Sequence, residues 1–209
     1  MGHVVLLGDS IFDNATYVAG QPSVLEHLRQ DLPAGWQATL LAVDGATAAD
    51  VRDQVRRVHH SATHLFLSAG GNDAYNASGI FAEAVQTVRE AIDQLATTQA
   101  RFRQDYLTVL GELGGLAKPL TVCTIYDAIP GLHGAQRSAL ALFNDVILRS
   151  ALELRAAVID LRRVCSEATD YSDVSPIEPS GRGGAKIASV IAGIATQTAS
   201  PSRTGRVYW

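Results

Sequence analysis

The chain has 209 residues, of which 47% are hydrophobic and 18% are charged. A chain of this length can bury one core without disulfide or metal support, and this composition excludes a disordered, collagen-like or disulfide-scaffold protein. The formal net charge of −4 gives no overall attraction to nucleic acid or to anionic lipid. We therefore expect a single α/β domain that does not bind nucleic acid.

Short apolar runs alternate with longer helical patterns along the chain, which is typical of a parallel sheet covered on both faces. The predicted strands cover residues 4–7, 38–43, 64–68, 120–125 and 157–160. The predicted helices cover residues 23–30, 46–58, 81–113, 135–154 and 184–194. We expect one domain over residues 1–198, followed by a tail over residues 199–209 that lacks periodicity.

The positions of the cysteines and the hydropathy of the chain further limit the class of protein that the sequence can encode. Cys123 and Cys165 lie outside any CxxC or Cys/His cluster, so we expect buried thiols rather than a zinc site or a bridge. No segment approaches about 18 consecutive apolar residues, so no membrane span is predicted. The first apolar run stops at Gly8, too early for a signal peptide, and this favours a cytoplasmic protein.

The carboxyl ends of parallel strands lie at one edge of a sheet, where α/β proteins bind their ligands. The segments that follow the first three predicted strands are Gly8-Asp9-Ser10, Asp44-Gly45 and Gly70-Gly71-Asn72-Asp73. The segment 126–133 follows the fourth strand and ends at His133. We expect these segments to form one site.

Three residues in these segments are suited to acyl chemistry, although each also fits an ordinary turn. Ser10, at a strand tip, can act as a nucleophile if a base is near, or can cap a helix. The backbone N–H of Gly45 and the side-chain amide of Asn72 are neutral donors of the kind that stabilise an oxyanion.

Taken together, the segments VVLLGDSIFDN, AVDGAT and LSAGGNDA, in this order and at this spacing, resemble the SGNH (GDSL) hydrolase family. The resemblance runs from Val4 to about residue 193. It implies a three-layer α/β/α, flavodoxin-like domain with a parallel sheet of about five strands. By resemblance, Ser10 is the nucleophile, and its own N–H, the Gly45 N–H and the Asn72 side chain bind the oxyanion. Asn144 resembles an asparagine that has a packing role in the family.

The last motif of the family, Asp-x-x-His followed by Pro and Ser, is altered in this chain. Ser175 stands in the aspartate position and Glu178 in the histidine position, and Pro179 and Ser180 follow. A glutamate serves as a general base when burial raises its pKa toward the working pH. Arg182, four residues further on, could pair with Glu178 and make it a poorer base.

Other side chains at this edge are candidates for substrate contact. Asp9 and Asp73 adjoin two of the predicted catalytic residues, and His133 alone among the six histidines follows the carboxyl end of a predicted strand. For His133 an exposed loop position, a substrate contact and a substitute base all stay open. No metal-ligand spacing is present, so neither a metal nor a cofactor is expected.

The sequence therefore predicts a serine esterase that acts on small acyl or acetyl esters through Ser10, Gly45, Asn72 and Glu178, with weak activity because the last motif is altered. Two alternatives stay open. One is a binding module that keeps the pocket but has lost the base. The other is an acyltransferase that uses the same residues.

Overall fold

In the computed structural model, which describes residues 1–197 and 206–209, six parallel strands form one sheet in the order β2-β1-β3-β4-β5-β6. The strands are β1 (His3–Gly8), β2 (Gln37–Leu40), β3 (His64–Ser68), β4 (Leu120–Cys123), β5 (Ala157–Ile159) and β6 (Val207–Tyr208). The first five follow the flavodoxin-like order, and the predicted α/β/α fold is confirmed.

Helices cover both faces of this sheet. Within the described residues they are α1 (Val24–Asp31), α2 (Val51–Val55), α3 (Gly71–Asn76), α4 (Val88–Gly115), α5 (Gly134–Leu154), α6 (Leu161–Val164) and α7 (Gly181–Thr196). One hydrophobic core joins α2, α4 and α5 to the sheet, and a second joins α1, α6 and α7 to its other face.

The two cores arise from the alternation of side chains along each strand. In β1, Val5 and Leu7 belong to the first core, and Val4 and Leu6 belong to the second. Successive side chains of a strand point to opposite faces. A strand that is covered on both faces therefore needs an uninterrupted apolar run.

The predicted helix over residues 81–113 is wrong at its start. Residues Ala77–Ala82 form a 3₁₀ helix, and α4 begins only at Val88, where the hydroxyl of Thr87 accepts a hydrogen bond from the Glu90 N–H at 3.2 Å. This cap stops the helix from extending backward. The predicted helix over 46–58 is likewise shorter in the structure, at Val51–Val55.

The end of the chain adds a strand that the sequence did not predict. The Val158 N–H donates to the Arg206 carbonyl at 2.7 Å, and the Asp160 N–H donates to the Tyr208 carbonyl at 2.8 Å. A two-residue strand is too short to show periodicity, so the pattern gave no signal for it. The rest of the predicted tail lies mostly in residues 198–205, outside the described residues.

Two predictions from the sequence concern the state of the cysteines and the presence of a membrane span. Cys123 and Cys165 are both buried free thiols, as predicted. In the described part of the chain, none of the helices combines the length and apolar character needed to cross a membrane.

Candidate active site

The position of Ser10 is set by the end of β1. Gly8 has a φ of +122°, and a Cβ atom there would overlap the carbonyl oxygen of Ser68, so only glycine fits. The side chain of Gln54 accepts from the Gly8 N–H at 2.7 Å and donates to the Gly8 carbonyl at 2.8 Å. The Asp9 N–H then donates to the Ser68 carbonyl at 3.1 Å. These bonds hold Ser10 at the carboxyl edge of the sheet.

A cavity of about 150 Å³ opens at this edge. Ser10, Asn72 and Glu178 lie on its wall together with Asp9. The remaining wall is largely apolar and includes Tyr75, Phe81, Ile125, Ile129, Leu140 and Phe143. The structure thus brings three of the four predicted catalytic residues to one concave surface.

Glu178 is carried by an irregular segment that is tied to the body of the domain. Its carbonyl accepts from the Ser172 N–H at 2.9 Å. The neighbouring Pro179 carbonyl accepts from the side-chain amide of Asn14 at 3.2 Å, while the side-chain oxygen of Asn14 accepts from the Val24 N–H at 2.9 Å. Asn14 lies four residues after Ser10 and is fully buried, so it joins the two parts of the site.

The carboxyl group of Glu178 is suited to accept a proton near neutral pH. Its side chain is only 5% exposed. Burial raises the pKa of Glu178 to about 7. A hydrogen bond with the Ser10 hydroxyl opposes this with a smaller decrease, and the charge of Asp44 adds a smaller increase. Among the described residues, its Oε2 atom is buried and has no hydrogen-bond partner.

The structure corrects the predicted role of Arg182. Its guanidinium binds Glu167, with Nη2 and Oε2 2.5 Å apart, and approaches Asp170 at 3.6 Å. Arg182 therefore pairs with Glu167 rather than with Glu178. The physical reason is that the segment before α7 places Glu167 closer to the guanidinium, and the expected loss of basicity in Glu178 does not follow.

Asn72 is the second residue of α3 and lies two residues after the left-handed turn at Gly70, where φ is +118°. Its side-chain nitrogen donates to the Ala46 carbonyl at 3.0 Å. An amide nitrogen carries two hydrogens, so a second donor remains for a group in the cavity. Gly45 adjoins this bond, but it is exposed and is not part of the cavity wall. Its role as an oxyanion donor stays a prediction.

The three predicted substrate contacts differ in position. Asp9 is on the cavity wall and 2% exposed. The carboxylate of Asp73 instead accepts from the Ala48 N–H at 2.9 Å and ties a loop to α3. His133 is exposed just before α5, where its N–H donates to Gln136 at 2.9 Å. The structure does not bring Asp73 or His133 to the cavity wall.

Sequence reasoning missed Gln54 and left the position of Asn144 open. Both side chains are buried and bond to the backbone of residues at the site: Gln54 to Gly8, and Asn144 to both the N–H and the carbonyl of Ile125, at 2.7 and 2.8 Å. The resemblance had indicated a packing role for Asn144. A polar residue at a core position of a helix was the available signal for Gln54.

In residues 1–197 and 206–209, no cluster of three or more His, Cys, Asp or Glu side chains is placed to hold a metal ion. The cavity wall carries a hydroxyl, a side-chain amide and a buried carboxyl group, which are groups of the kind that acyl transfer requires.

The sequence model described as "GDSL-like Lipase/Acylhydrolase family" matches residues 6–185. This match spans most of the chain, and the chain belongs to that family, as the resemblance predicted. Membership supports hydrolysis of ester bonds as the general reaction class. No curated protein matches the sequence significantly.

Solved structures with a similar fold include three ester hydrolases. An extracellular lipase from Streptomyces rimosus is 19% identical with a TM-score of 0.68, over 94% of this chain and 100% of that one. A phospholipase A1 from Streptomyces albidoflavus is 18% identical with a TM-score of 0.65, over 93% and 99%. An acetylxylan esterase from Geobacillus stearothermophilus is 14% identical with a TM-score of 0.66, over 94% of each chain. At these identities the likeness supports the fold alone.

Proposed function

We propose that this protein is a serine esterase in which Ser10 attacks the ester carbonyl and Glu178 takes the serine proton. The observation that carries the proposal is that the buried Glu178 carboxyl group and the Ser10 hydroxyl meet on the wall of one cavity. Small acyl or acetyl esters are the substrates, with no metal or cofactor required.

The reaction proceeds in two acyl-transfer steps. The Ser10 hydroxyl oxygen bonds to the carbonyl carbon, its proton passes to Glu178, and the carbonyl oxygen becomes an oxyanion. The Asn72 amide and the backbone N–H groups of Ser10 and Gly45 stabilise that charge. Collapse breaks the bond to the alcohol, which takes the proton from Glu178, and leaves an acyl-enzyme. Water then attacks this ester while Glu178 takes a proton from it. Collapse breaks the bond to Ser10, which recovers the proton from Glu178, and the carboxylic acid leaves.

A glutamate base carries an electrostatic cost. A histidine that accepts the serine proton becomes a cation and helps to stabilise the oxyanion, whereas a protonated glutamate is neutral. The step therefore depends more strongly on the donors at Asn72 and on the backbone. We expect turnover to be slower than in an enzyme with a histidine base.

A second function is favoured by the same motif. Both positions of Asp-x-x-His are changed, to Ser175 and Glu178, as in a binding module that has kept the pocket and lost the chemistry. Glu178→Gln and Glu178→His separate the two. An esterase that uses Glu178 as its base loses activity in Glu178→Gln. A binding module without a working base has no activity in the parent protein. It gains activity in Glu178→His and gains more when Ser175→Asp is added.

The direct test is hydrolysis of p-nitrophenyl acetate by the full chain. Ser10→Ala removes the nucleophile and should lower kcat by at least about a hundredfold. Ser78→Ala is the matched control, because Ser78 also lies on the cavity wall but takes no step in the proposed reaction. Equal activity in Ser10→Ala and the parent protein would overturn the proposal.

A further inference from the structure

We infer that the cavity beside Ser10 holds the acyl group of the substrate and selects an unbranched aliphatic chain of about six carbon atoms over acetyl. The inference rests on the proposed function, because it takes Ser10 as the atom to which the acyl group is transferred. It assigns the specificity to residues of α5 and of the segment after β4.

The cavity wall combines polar and apolar side chains. Besides Ser10, its polar residues include Asp9, Ser68, Asn72 and Glu178, with Ser78 and Gln136 in segments that also supply apolar side chains. Its apolar side chains come from several parts of the chain and include Ile125 and Ile129 after β4, Leu140 and Phe143 on α5, and Phe81. An acetyl group would leave this apolar wall unfilled.

The apolar wall is held in place by buried contacts. Asn144 bonds to both backbone groups of Ile125, which fixes that side chain from behind. The ring of Phe143 packs against Phe102, with centroids 5.0 Å apart, and Phe102 packs in turn against Tyr106 at 5.3 Å. Packing of this kind resists collapse of a cavity, so the cavity is ready for a ligand before the ligand binds.

The size of the cavity sets the length of the chain. The whole cavity measures about 150 Å³, the volume of an apolar cavity that holds benzene, so it has room for about six carbon atoms. Tyr75 and Phe81 stand at the wall and are 63% and 45% exposed, so the cavity reaches solvent on their side. Carbon atoms beyond about the sixth emerge past these rings and add little binding.

The test compares p-nitrophenyl acetate, butyrate, hexanoate and decanoate. Each methylene that leaves water for the cavity is worth about 0.8 kcal/mol, so kcat/KM should rise about fourfold per methylene. The rise should continue to hexanoate and stop before decanoate. A value of kcat/KM that is flat or falls from acetate to hexanoate would overturn the inference, while hydrolysis of the acetate by Ser10 would leave the proposed function intact.

Ala139 offers a variant that fills the cavity. It is 9% exposed on α5 and lies on the cavity wall. Ala139→Leu should lower kcat/KM for the hexanoate at least tenfold more than it lowers kcat/KM for the acetate. Ala141→Leu, two residues along the same helix on its exposed side, should leave both unchanged. Equal losses for acetate and hexanoate in Ala139→Leu would contradict the inference.

Two more measurements distinguish the acyl group from other occupants. Hexyl acetate should be hydrolysed no faster than ethyl acetate. A preference for hexyl acetate over ethyl acetate, without a preference for the hexanoate over the acetate of p-nitrophenol, would place the alcohol in the cavity and overturn the inference. Hexanamide, which is not hydrolysed on this timescale, should bind more tightly than acetamide in calorimetry and lose that advantage in Ala139→Leu. This binding experiment decides the inference even if Ser10 proves unreactive and the proposed function fails.

Discussion

Asp9 and Glu178 face the same cavity as two buried carboxyl groups, 2% and 5% exposed. Burial raises the pKa of Asp9 to about 7. A hydrogen bond from the Ile11 N–H lowers this pKa, and the charge of Glu178 raises it further. Burial likewise raises the pKa of Glu178 to about 7. Two acids that hold their protons in the folded state below about pH 7 make both stability and rate depend on pH.

The contribution of Asp9 and Glu178 to the free energy of unfolding should fall as the pH rises from about 4 to about 7. The ordinary pKa values of the two groups are 3.8 and 4.5. In this window the folded protein keeps protons that the unfolded chain has released, so a higher pH favours unfolding. Asp9→Asn and Glu178→Gln should each reduce the slope of the free energy of unfolding against pH in denaturant titrations. Asp31→Asn, which removes an exposed carboxyl group at the end of α1, is the matched control. Identical slopes in all four proteins would contradict the raised pKa values.

The rate should depend on pH in the opposite sense. A general base works only when it is deprotonated, so kcat/KM for p-nitrophenyl acetate should rise as Glu178 ionises and level off above about pH 7. Glu178→Gln should lower kcat/KM at least about a hundredfold and abolish this increase with pH. Glu167→Gln, which removes a carboxylate that pairs with Arg182 and Lys186 and is not on the cavity wall, should keep it. A pH-independent rate in the parent protein between pH 5 and 9 would exclude Glu178 as the base.

Asn72 should contribute to the rate through the oxyanion. Asn72→Ala removes one donor and should lower kcat by about a hundred- to a thousandfold, the typical effect of losing one oxyanion donor. Asn76→Ala, an exposed asparagine on the same helix, is the matched control and should retain full activity. A small loss in kcat with a large increase in KM would mean that Asn72 binds the ground state instead.

Asn14 should position Glu178. Asn14→Ala leaves the buried Val24 N–H and Pro179 carbonyl without a partner and should lower the free energy of unfolding by about 1–3 kcal/mol. At temperatures well below its midpoint of unfolding, the Asn14→Ala variant should also have a kcat about ten- to a hundredfold lower, because the base is displaced. Leu28→Ala, a core truncation in α1, should reduce stability at least as much and leave kcat unchanged. Full activity in folded Asn14→Ala would show that the contact is structural only.

Buried strands were the part of the fold that sequence reasoning predicted best. A strand such as β1, with every residue buried, needs a continuous apolar run, and that run is visible in the sequence. The strand Val207–Tyr208 is different, because two backbone hydrogen bonds to β5 define it and its side chains carry no pattern. The start of α4 also depended on one capping bond at Thr87 that outweighed a favourable helical pattern.

At the site, the order of the motifs predicted which strand ends meet, and the structure brings Ser10, Asn72 and Glu178 together. The partner of Arg182 was beyond sequence reasoning, because the spacing of four residues suggested Glu178 and the folded segment brought Glu167 instead. The bonds of Gln54 also join residues distant in the chain, and only the packed structure reveals them.

The most direct test of the account is covalent labelling of Ser10. In a fluorophosphonate probe, a serine oxygen that a base activates displaces fluoride from phosphorus. The folded protein should therefore gain the mass of one probe less HF, mapped to the peptide that carries Ser10. Glu178→Gln should slow the labelling at least about tenfold, and Ser10→Ala should abolish it. Folded protein that stays unlabelled, or that carries the probe on another residue, would contradict the claim that Ser10 and Glu178 form a catalytic pair.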